Sequence, residues 1–347
     1  MNDYPSVAVV ILNWNGKNFL EQFLPSVSAS DYPNLRIYVA DNASTDNSIA
    51  FVRENFPRLE IVQNSGNVGF AEGYNQALAG IRADYYVLLN QDVAVEENWL
   101  RPIVRLMESD RMIGACQPKM LSWKQEDHFE YAGAAGGWLD RWGYPFCRGR
   151  IFGTVEQDNG QYDAPERVFW ASGAALFIRA ELYHEAGGLD PYFFAHMEEI
   201  DLCWRLQRLG YQIWCCPESV VHHVGGGSLP QGNPRKTFLN FRNNLIMLHK
   251  NLHGLERYST LLIRLMLDGI AGAKSLFQGN TAEIFIILKA HWAYYSWLKG
   301  RPDGVAGHGK IPRVRFRVLR GVYPRSVVWQ YFIRRRKTFS SLEIMDK

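Results

Sequence analysis

The sequence predicts an α/β protein with a mostly parallel, doubly wound (Rossmann-like) sheet, followed by a helical C-terminal region. Three observations predict it. Short β-rich runs alternate with helical patterns four times between residues 7 and 109, the order of parallel strands joined by crossover helices. The runs at 7–12 and 85–89 are unbroken apolar stretches, as in strands covered on both faces. From 235 to 299 only helical patterns remain, with broad apolar faces and interspersed Lys and Arg.

The elements follow in order. "VAVVILNW" (7–14) reads as a buried strand and "KNFLEQFLPSVSAS" as a helix. "LRIYVADN" (35–42) is the second strand, after which Ser44 or Thr45 is placed to cap a helix reaching about residue 55. "LEIVQN" (59–64) is the third strand. A loop punctuated by Gly66, Gly69 and Gly73 then enters a helix. "DYYVLLNQD" (84–92) is the fourth strand, and "ENWLRPIVRLMES" the next helix. From 114 to 170 glycine, aromatic and charged residues mix without a period, which predicts loops and hairpins over one face. "VFWASGAALFIRA" (168–180) restores a strand, "EEIDLCWRLQRLG" (198–210) is a helix stopped by Gly210, "YQIWCCP" is a further strand, and "HHVGGGS" (222–228) is a loop. The predicted division is 1–232, 233–300 and a basic tail over 301–347.

Composition narrows the class. The 347 residues are 47% hydrophobic and 21% charged, the values of a folded globular chain. Residues 301–347 carry 12 Lys and Arg against 3 Asp and Glu, while the rest carries 26 against 32. The tail is thus a basic segment on a mildly acidic body, suited to an anionic surface. The five cysteines, at 116, 147, 203, 215 and 216, have no C-x-x-C spacing. That argues against a disulfide framework or a structural zinc site and for a reducing compartment. The N-terminus lacks a basic n-region, and no stretch reaches the roughly 18 apolar residues of a membrane span, so a cytoplasmic location is expected.

In open parallel sheets, ligands bind beyond the carboxyl ends of the strands. Three strand ends carry polar residues: Asn13 with Asn15, Asp41 with Asn42, and Asn90 with Asp92. Together they predict one site along one sheet edge. Asp92 suits a divalent cation bridging phosphate oxygens. Asp41 and Asn42 suit a ribose or a base. The glycine loop permits close backbone approach, and the following helix offers its N-terminal dipole to an anion. Its glycines do not form G-x-G-x-x-G, and no P-loop motif occurs. Glu198, Glu199 and Asp201 fall in the first turn of a helix. They read either as complements to its dipole, with Asp201 pairing Arg205, or as a general base. His222 and His223 are adjacent, so one can pack while the other ligates.

"VVILNWNGKNFLEQFLPSV", "VADNASTDNS", "NSGNVGFAEGYNQAL", "YVLLNQDV", "FWASGAALFIRAELYHEAGGLDPYFFAHMEEIDLCWRLQRLGYQIWC" and "HHVGGGS" stand in the order seen in family 2 glycosyltransferases. Over residues 5–250 the chain resembles the non-processive, rhamnosyltransferase-like members. The resemblance implies a GT-A fold and an inverting transfer from a nucleotide-activated sugar. It implies a donor pocket of Asn13, Asp41, Asn42, Asn67, Gly69 and Asn90. It implies Asp92 and His223 as ligands of Mg²⁺ or Mn²⁺, and Glu199 as base with Glu198 as its rival. Trp170, Ser172 and Gly173 then shape the acceptor side. Two departures stand out: Asn90 takes the first acidic place of the D-x-D motif, and Glu199 takes the place of an Asp. The Q-x-x-R-W motif of processive synthases is absent, which favours single-sugar transfer.

The implied partners are a UDP-, dTDP- or GDP-linked sugar and a glycan or polyprenyl-diphosphate-linked saccharide. The helical region and basic tail resemble segments that seat such enzymes on the inner face of the bacterial membrane. Three rivals stay open at this point. A sugar-1-phosphate nucleotidyltransferase is disfavoured by "NWNGKNF" after the first strand. A non-catalytic sugar-nucleotide or glycan binder with a decayed site rests on Asn90 and Glu199. A nucleic-acid binder rests on the tail alone, and nucleic acid is not the expected partner.

Overall fold

The computed structural model describes residues 4–225, 232–300 and 311–344. Strands β1 (Val7–Asn13), β2 (Leu35–Asp41), β3 (Glu60–Gln63) and β4 (Tyr85–Asn90) are joined by helices α1 (Lys17–Ser28), α2 (Ser48–Asn55) and α3 (Gly69–Ala79). All four strands run parallel, with β1 between β2 and β4. Next come β5 (Val93–Val95), α4 (Leu100–Ser109) and β6 (Ile113–Ser122). The irregular stretch contains β7 (Gly137–Asp140), β8 (Pro145–Cys147), β9 (Arg150–Ile151) and β10 (Thr154–Val155). Then follow β11 (Glu166–Val168), β12 (Ala175–Arg179), α5 (Ala180–Glu185), α6 (Glu198–Arg208) and β13 (Gln212–His223).

The main sheet has the order β11-β13-β6-β12-β4-β1-β2-β3, with β5 on the end of β13. One apolar cluster packs α1 and α4 on one face, and a second packs α3, α5 and α6 on the other. Coverage on both faces is why Tyr85 to Leu89 is apolar at every position.

Two expectations need correction. The 114–170 stretch is not all loops and hairpins: β6 is an interior strand of the main sheet, flanked by β12 and β13. Gly114, Gln117, Pro118 and Lys119 hide it from the sequence. Pro118, which has no N–H to give, stands where the pairing with β13 slips register. The 222–228 stretch is not a loop at its start, since His222 and His223 end β13; residues 226–228 lie outside the described residues.

After β13 come α7 (Pro234–Asn251), α8 (Gly254–Phe277) and α9 (Thr281–Gly300), as the helical patterns predict. Helix α7 is tied to the main body, because Asn243 Nδ2 donates to the carbonyls of Phe193, Ala195 and His196. The stretch expected as a basic tail is folded from residue 311 to 344. It contributes β14 (Val322–Tyr323), which pairs with β7 to complete a second, five-stranded sheet, and α10 (Val327–Phe332). Phe316, Tyr323, Val327 and Leu342 are buried there. The Asp140 carboxylate accepts from Val327 N at 2.9 Å, and Glu156 from Phe339 N at 2.8 Å. Charge counting concealed this because the apolar anchors are scattered among the basic residues. Among the described residues, no helix is long and apolar enough to cross a membrane.

Candidate active site

Register brings the polar strand tips together. Asn13 stands opposite Asp41, and Leu12 opposite Asn90. A cavity of about 270 Å³ opens beyond them. Asn42, Asn67, Gly69, Asn90 and Asp92 line it. Asn13 and Asp41 do not. They sit behind the wall, buried and engaged with each other. Asp41 also accepts from Ser44 Oγ (2.5 Å) and Gln63 Nε2 (2.8 Å). This changes two readings. Ser44 is not a helix cap, because its hydroxyl serves Asp41 and α2 begins only at Ser48. Asp41 is a positioning residue that holds the β2 tip and its neighbour Asn42. Asn42 Nδ2 in turn donates to Gly69 O at 3.0 Å, fixing the glycine loop.

The offered helix dipole is already taken. The Phe194 carbonyl accepts from Phe70 N (2.7 Å) and Ala71 N (3.2 Å) in the first turn of α3. The Phe194 ring lies where a side chain on Gly69 would stand: a Cβ there would come within 2.5 Å of it. Gly69 is therefore required by close ring packing and by its φ of +87°.

Strand β5 pairs antiparallel with the end of β13, setting His223 opposite Val93 and beside Asp92. Both side chains are buried, with His223 Nε2 at 3.1 Å from Asp92 Oδ1. Asn90 Nδ2 is 3.4 Å from the same nitrogen. On the far side of the ring, Glu130 Oε1 lies 3.3 Å from Nδ1. Burial alone would push the imidazole pKa down, but the flanking Glu130 and Asp92 carboxylates raise it to about 10. Among the described residues no group of three or more His, Cys, Asp or Glu is arranged to hold an ion by itself. Once His223 gives up the proton that these carboxylates hold, one carboxylate oxygen and one imidazole nitrogen facing each other, with a carboxylate behind the ring, form a donor set that fits a divalent cation completed by phosphate oxygens.

The three acids of α6 separate cleanly. Asp201 is fully buried and structural, as the i, i+4 reading allows: Arg205 Nε lies at 2.9 Å, Lys250 Nζ at 3.0 Å and Asn251 Nδ2 at 2.8 Å. Glu198 and Glu199 line the cavity, and Oε2 of each is buried without a hydrogen-bond partner among the described residues. Burial, and then the charge of Glu199, raises the Glu198 pKa well above the usual carboxylate range. Burial raises that of the half-buried Glu199 to about 7, against the pull of backbone N–H groups at Met197, Glu199 and Ile200. The backbone that delivers them is strained. Phe194, His196 and Met197 have φ of 64°, 69° and 76°, conformations that cost roughly 1–3 kcal/mol each and persist where the surroundings hold them. The α7 residue Asn243 supplies that hold through its bonds to the 193–196 carbonyls.

Of the acceptor-side residues, Ser172 and Gly173 line the cavity. A Cβ on Gly173 would lie 3.6 Å from Glu199 Cβ. Trp170 does not line it. It is buried behind, donating Nε1 to Trp138 O at 3.2 Å and packed against Gly137. Four residues went unread in the sequence: Trp14, half exposed at the cavity rim, Glu130, Phe194 and Lys236. Trp14 was findable as a large aromatic directly after a polar strand tip. Glu130 carries no local pattern that marks it.

The description "Glycosyl transferase family 2" matches residues 8–167. Residues 8–167 are a family 2 glycosyltransferase domain. This glycosyltransferase is 24% identical over 234 residues to the N-acetylglucosaminyl-diphospho-decaprenol L-rhamnosyltransferase of Mycobacterium tuberculosis, covering 62% of this chain and 75% of that one. It is 22% identical to the rhamnosyltransferase WbbL of Escherichia coli, covering 63% and 83%. Among solved structures, GalNAc-T7 with UDP, GalNAc and Mn²⁺ aligns with a TM-score of 0.56 at 17% identity, over 72% of this chain and 48% of that one. The Pyrobaculum calidifontis mannosyltransferase PcManGT with GDP-Man and Mn²⁺ aligns at 0.54 and 16%, over 86% and 89%. The fold of this glycosyltransferase is GT-A, and the mostly parallel sheet with its helical C-terminal region is as the sequence predicts.

Proposed function

We propose that the glycosyltransferase moves one sugar, with inversion, from a nucleotide-sugar to a hydroxyl of a polyprenyl-diphosphate-linked saccharide in bacterial cell-surface polysaccharide synthesis. The observation that carries this is the pair of unpartnered carboxylate oxygens on Glu198 and Glu199 in the cavity that Asp92 and His223 also line. Glu199 is the base. With a pKa raised to about 7 it is ionised in a large fraction of molecules at neutral pH and accepts a proton readily. Burial and the charge of Glu199 push the Glu198 carboxyl toward its neutral form, which leaves Glu199 as the carboxylate of the two. As Glu199 takes the acceptor's proton, the oxygen attacks the anomeric carbon and the nucleoside diphosphate departs in a single displacement. Asp92 and His223 would hold Mg²⁺ or Mn²⁺ against that diphosphate, which supplies neutralisation of the leaving charge. Glu130 orients the His223 ring for this, and Asn42 and Gly69 floor the donor side.

The experiment is a panel of UDP-, dTDP- and GDP-linked sugars with Mg²⁺ or Mn²⁺, scored for released nucleoside diphosphate. One donor should be turned over by the wild type and not by Asp92→Ala. Equal turnover by both proteins would reject the assigned cation ligand. The printed names of the two rhamnosyltransferases make an L-rhamnosyl donor and an N-acetylglucosaminyl-diphospho-polyprenol acceptor the first pair to try.

The same reading places the enzyme peripherally on the cytoplasmic membrane face. Helix α8 is inside out: Arg264 and Asp268 are buried, while Leu255, Leu262, Met266 and Ile270 are exposed. A large outward apolar face of this kind marks an interaction surface. Co-sedimentation with vesicles containing anionic phospholipid is expected. A protein that stays in the supernatant would reject the membrane assignment.

A further inference from the structure

Beside the catalytic cavity lies a groove of about 510 Å³ between α7 and α9, and Phe194 and Arg235 line both. Its walls alternate cation and hydrocarbon: Arg235, Arg242 and Lys289 among Phe238, Leu239 and Ile286. The guanidinium of Arg235 sits 4.4 Å from the centre of the Phe194 ring, and that of Arg242 sits 5.3 Å from Phe238. Lys289 Nζ lies 5.8 Å from the centre of the same Phe238 ring. Among the described residues none of the three cations meets a carboxylate. Arg242 is held in place by the carbonyls of Tyr192 (3.0 Å) and Phe193 (3.2 Å) and by Asn243 Oδ1 (2.8 Å). Those contacts fix its direction without neutralising it. Burial first, and the Arg235 charge with it, lowers its pKa. Three cations gathered without a counter-anion are a site for one.

The hydrocarbon side of the ligand is read from α9. Lys289 is four residues after Phe285 and three before Trp292, so all three share one helical stripe. Phe285 and Trp292 are 69% and 74% exposed, and Leu288 beside them is 56% exposed. A cation set inside an exposed apolar and aromatic stripe matches a ligand whose phosphate continues directly into a lipid chain.

We propose that this groove is the carrier subsite of the acceptor. Arg235, Arg242 and Lys289 hold the diphosphate of a prenyl-diphosphate-linked saccharide, and the prenyl chain runs along Phe285, Leu288 and Trp292. The inference rests on the transfer reading above for the acceptor class. The groove's shared wall then explains how the acceptor sugar reaches Glu199 while the lipid stays outside the cavity.

The test is binding, so it does not depend on turnover. Farnesyl diphosphate, farnesol and inorganic pyrophosphate are titrated by calorimetry into full-length protein saturated with the nucleoside diphosphate of the preferred donor, or with UDP if no donor is turned over. Saturation blocks the donor site. Farnesyl diphosphate should bind at least tenfold more tightly than either fragment. Lys289→Gln, an exposed change that leaves packing alone, should weaken it about threefold, and Arg242→Gln with Lys289→Gln at least tenfold, while farnesol binding moves less than twofold. Equal affinity for farnesol would overturn the diphosphate assignment. Tight binding of pyrophosphate alone would overturn the lipid carrier. Unchanged affinity in Lys289→Gln and in the double variant would overturn the groove. Failure of the transfer reading shows separately, as absence of nucleoside diphosphate release.

Discussion

Glu199→Gln should lose turnover by roughly 10²–10⁴-fold, the range a positioned general base supplies. Glu198→Gln should lose far less, because Glu198 is the carboxyl pushed further toward its neutral form, which a glutamine mimics. The wild-type pH profile follows from the sign of the shift. Glu199 acts as a base only when ionised, so kcat/KM should climb with pH up to about 7 and level off above it. Burial rather than the charge of Glu198 raises Glu199, so the limb should stay near its wild-type position in Glu198→Gln. Stability carries the opposite sign. A carboxyl whose folded pKa is raised from 4.5 to about 7 favours the folded state when protonated. That contribution is present below the unfolded value and is lost as pH rises through about 7. Glu199→Gln should therefore flatten the loss of stability over that window. A turnover profile flat from pH 5 to 8 would exclude Glu199 as the base.

Two residues further along, the expected result is reversed. Asp201→Asn should destabilise by about 3–5 kcal/mol, the cost of removing one partner of a buried charge network. Arg205, its side chain 3% exposed, would lose its carboxylate, Lys250 would keep only Asp190 at 2.6 Å, and Asn251 would face an altered partner. For a domain of this size the melting temperature should fall by roughly 10 °C. The active site would follow indirectly, since Asp201 sits in the same helical turn as Glu198 and Glu199 and clamps α6 to α7. Scanning calorimetry checks this. A melting point within about 2 °C of wild type would mean that the network is not worth its burial.

The contrast between Glu199 and Asp201 shows what the sequence makes legible. The motif "EEID" marks three acids in one helical turn, and helix geometry suggests Asp201 to Arg205 at i, i+4. It does not show Lys250, which arrives from α7 and decides that Asp201 is structural. The four parallel strands and their helices were readable because each buried strand is a compact apolar run. The strand tips were readable because polar residues follow those runs abruptly. Asp41 was legible as part of the edge but not as a residue behind the wall, since its partners Ser44 and Gln63 come from two other segments. Strand β6 and the folded 311–344 segment escaped because their apolar residues are interrupted by polar and basic ones. Trp170 has the sequence context of a site aromatic. Only the neighbouring Gly137 and Trp138 show it to be packing.

The central claim is that Glu199 removes a proton in a site that binds the donor without it. It is tested most directly by titrating the preferred nucleotide-sugar into Glu199→Gln protein and then adding acceptor. Donor affinity within about twofold of wild type, with transfer at least a hundredfold slower, is the predicted result. Transfer at a wild-type rate would contradict it and return the acid cluster to a purely structural role.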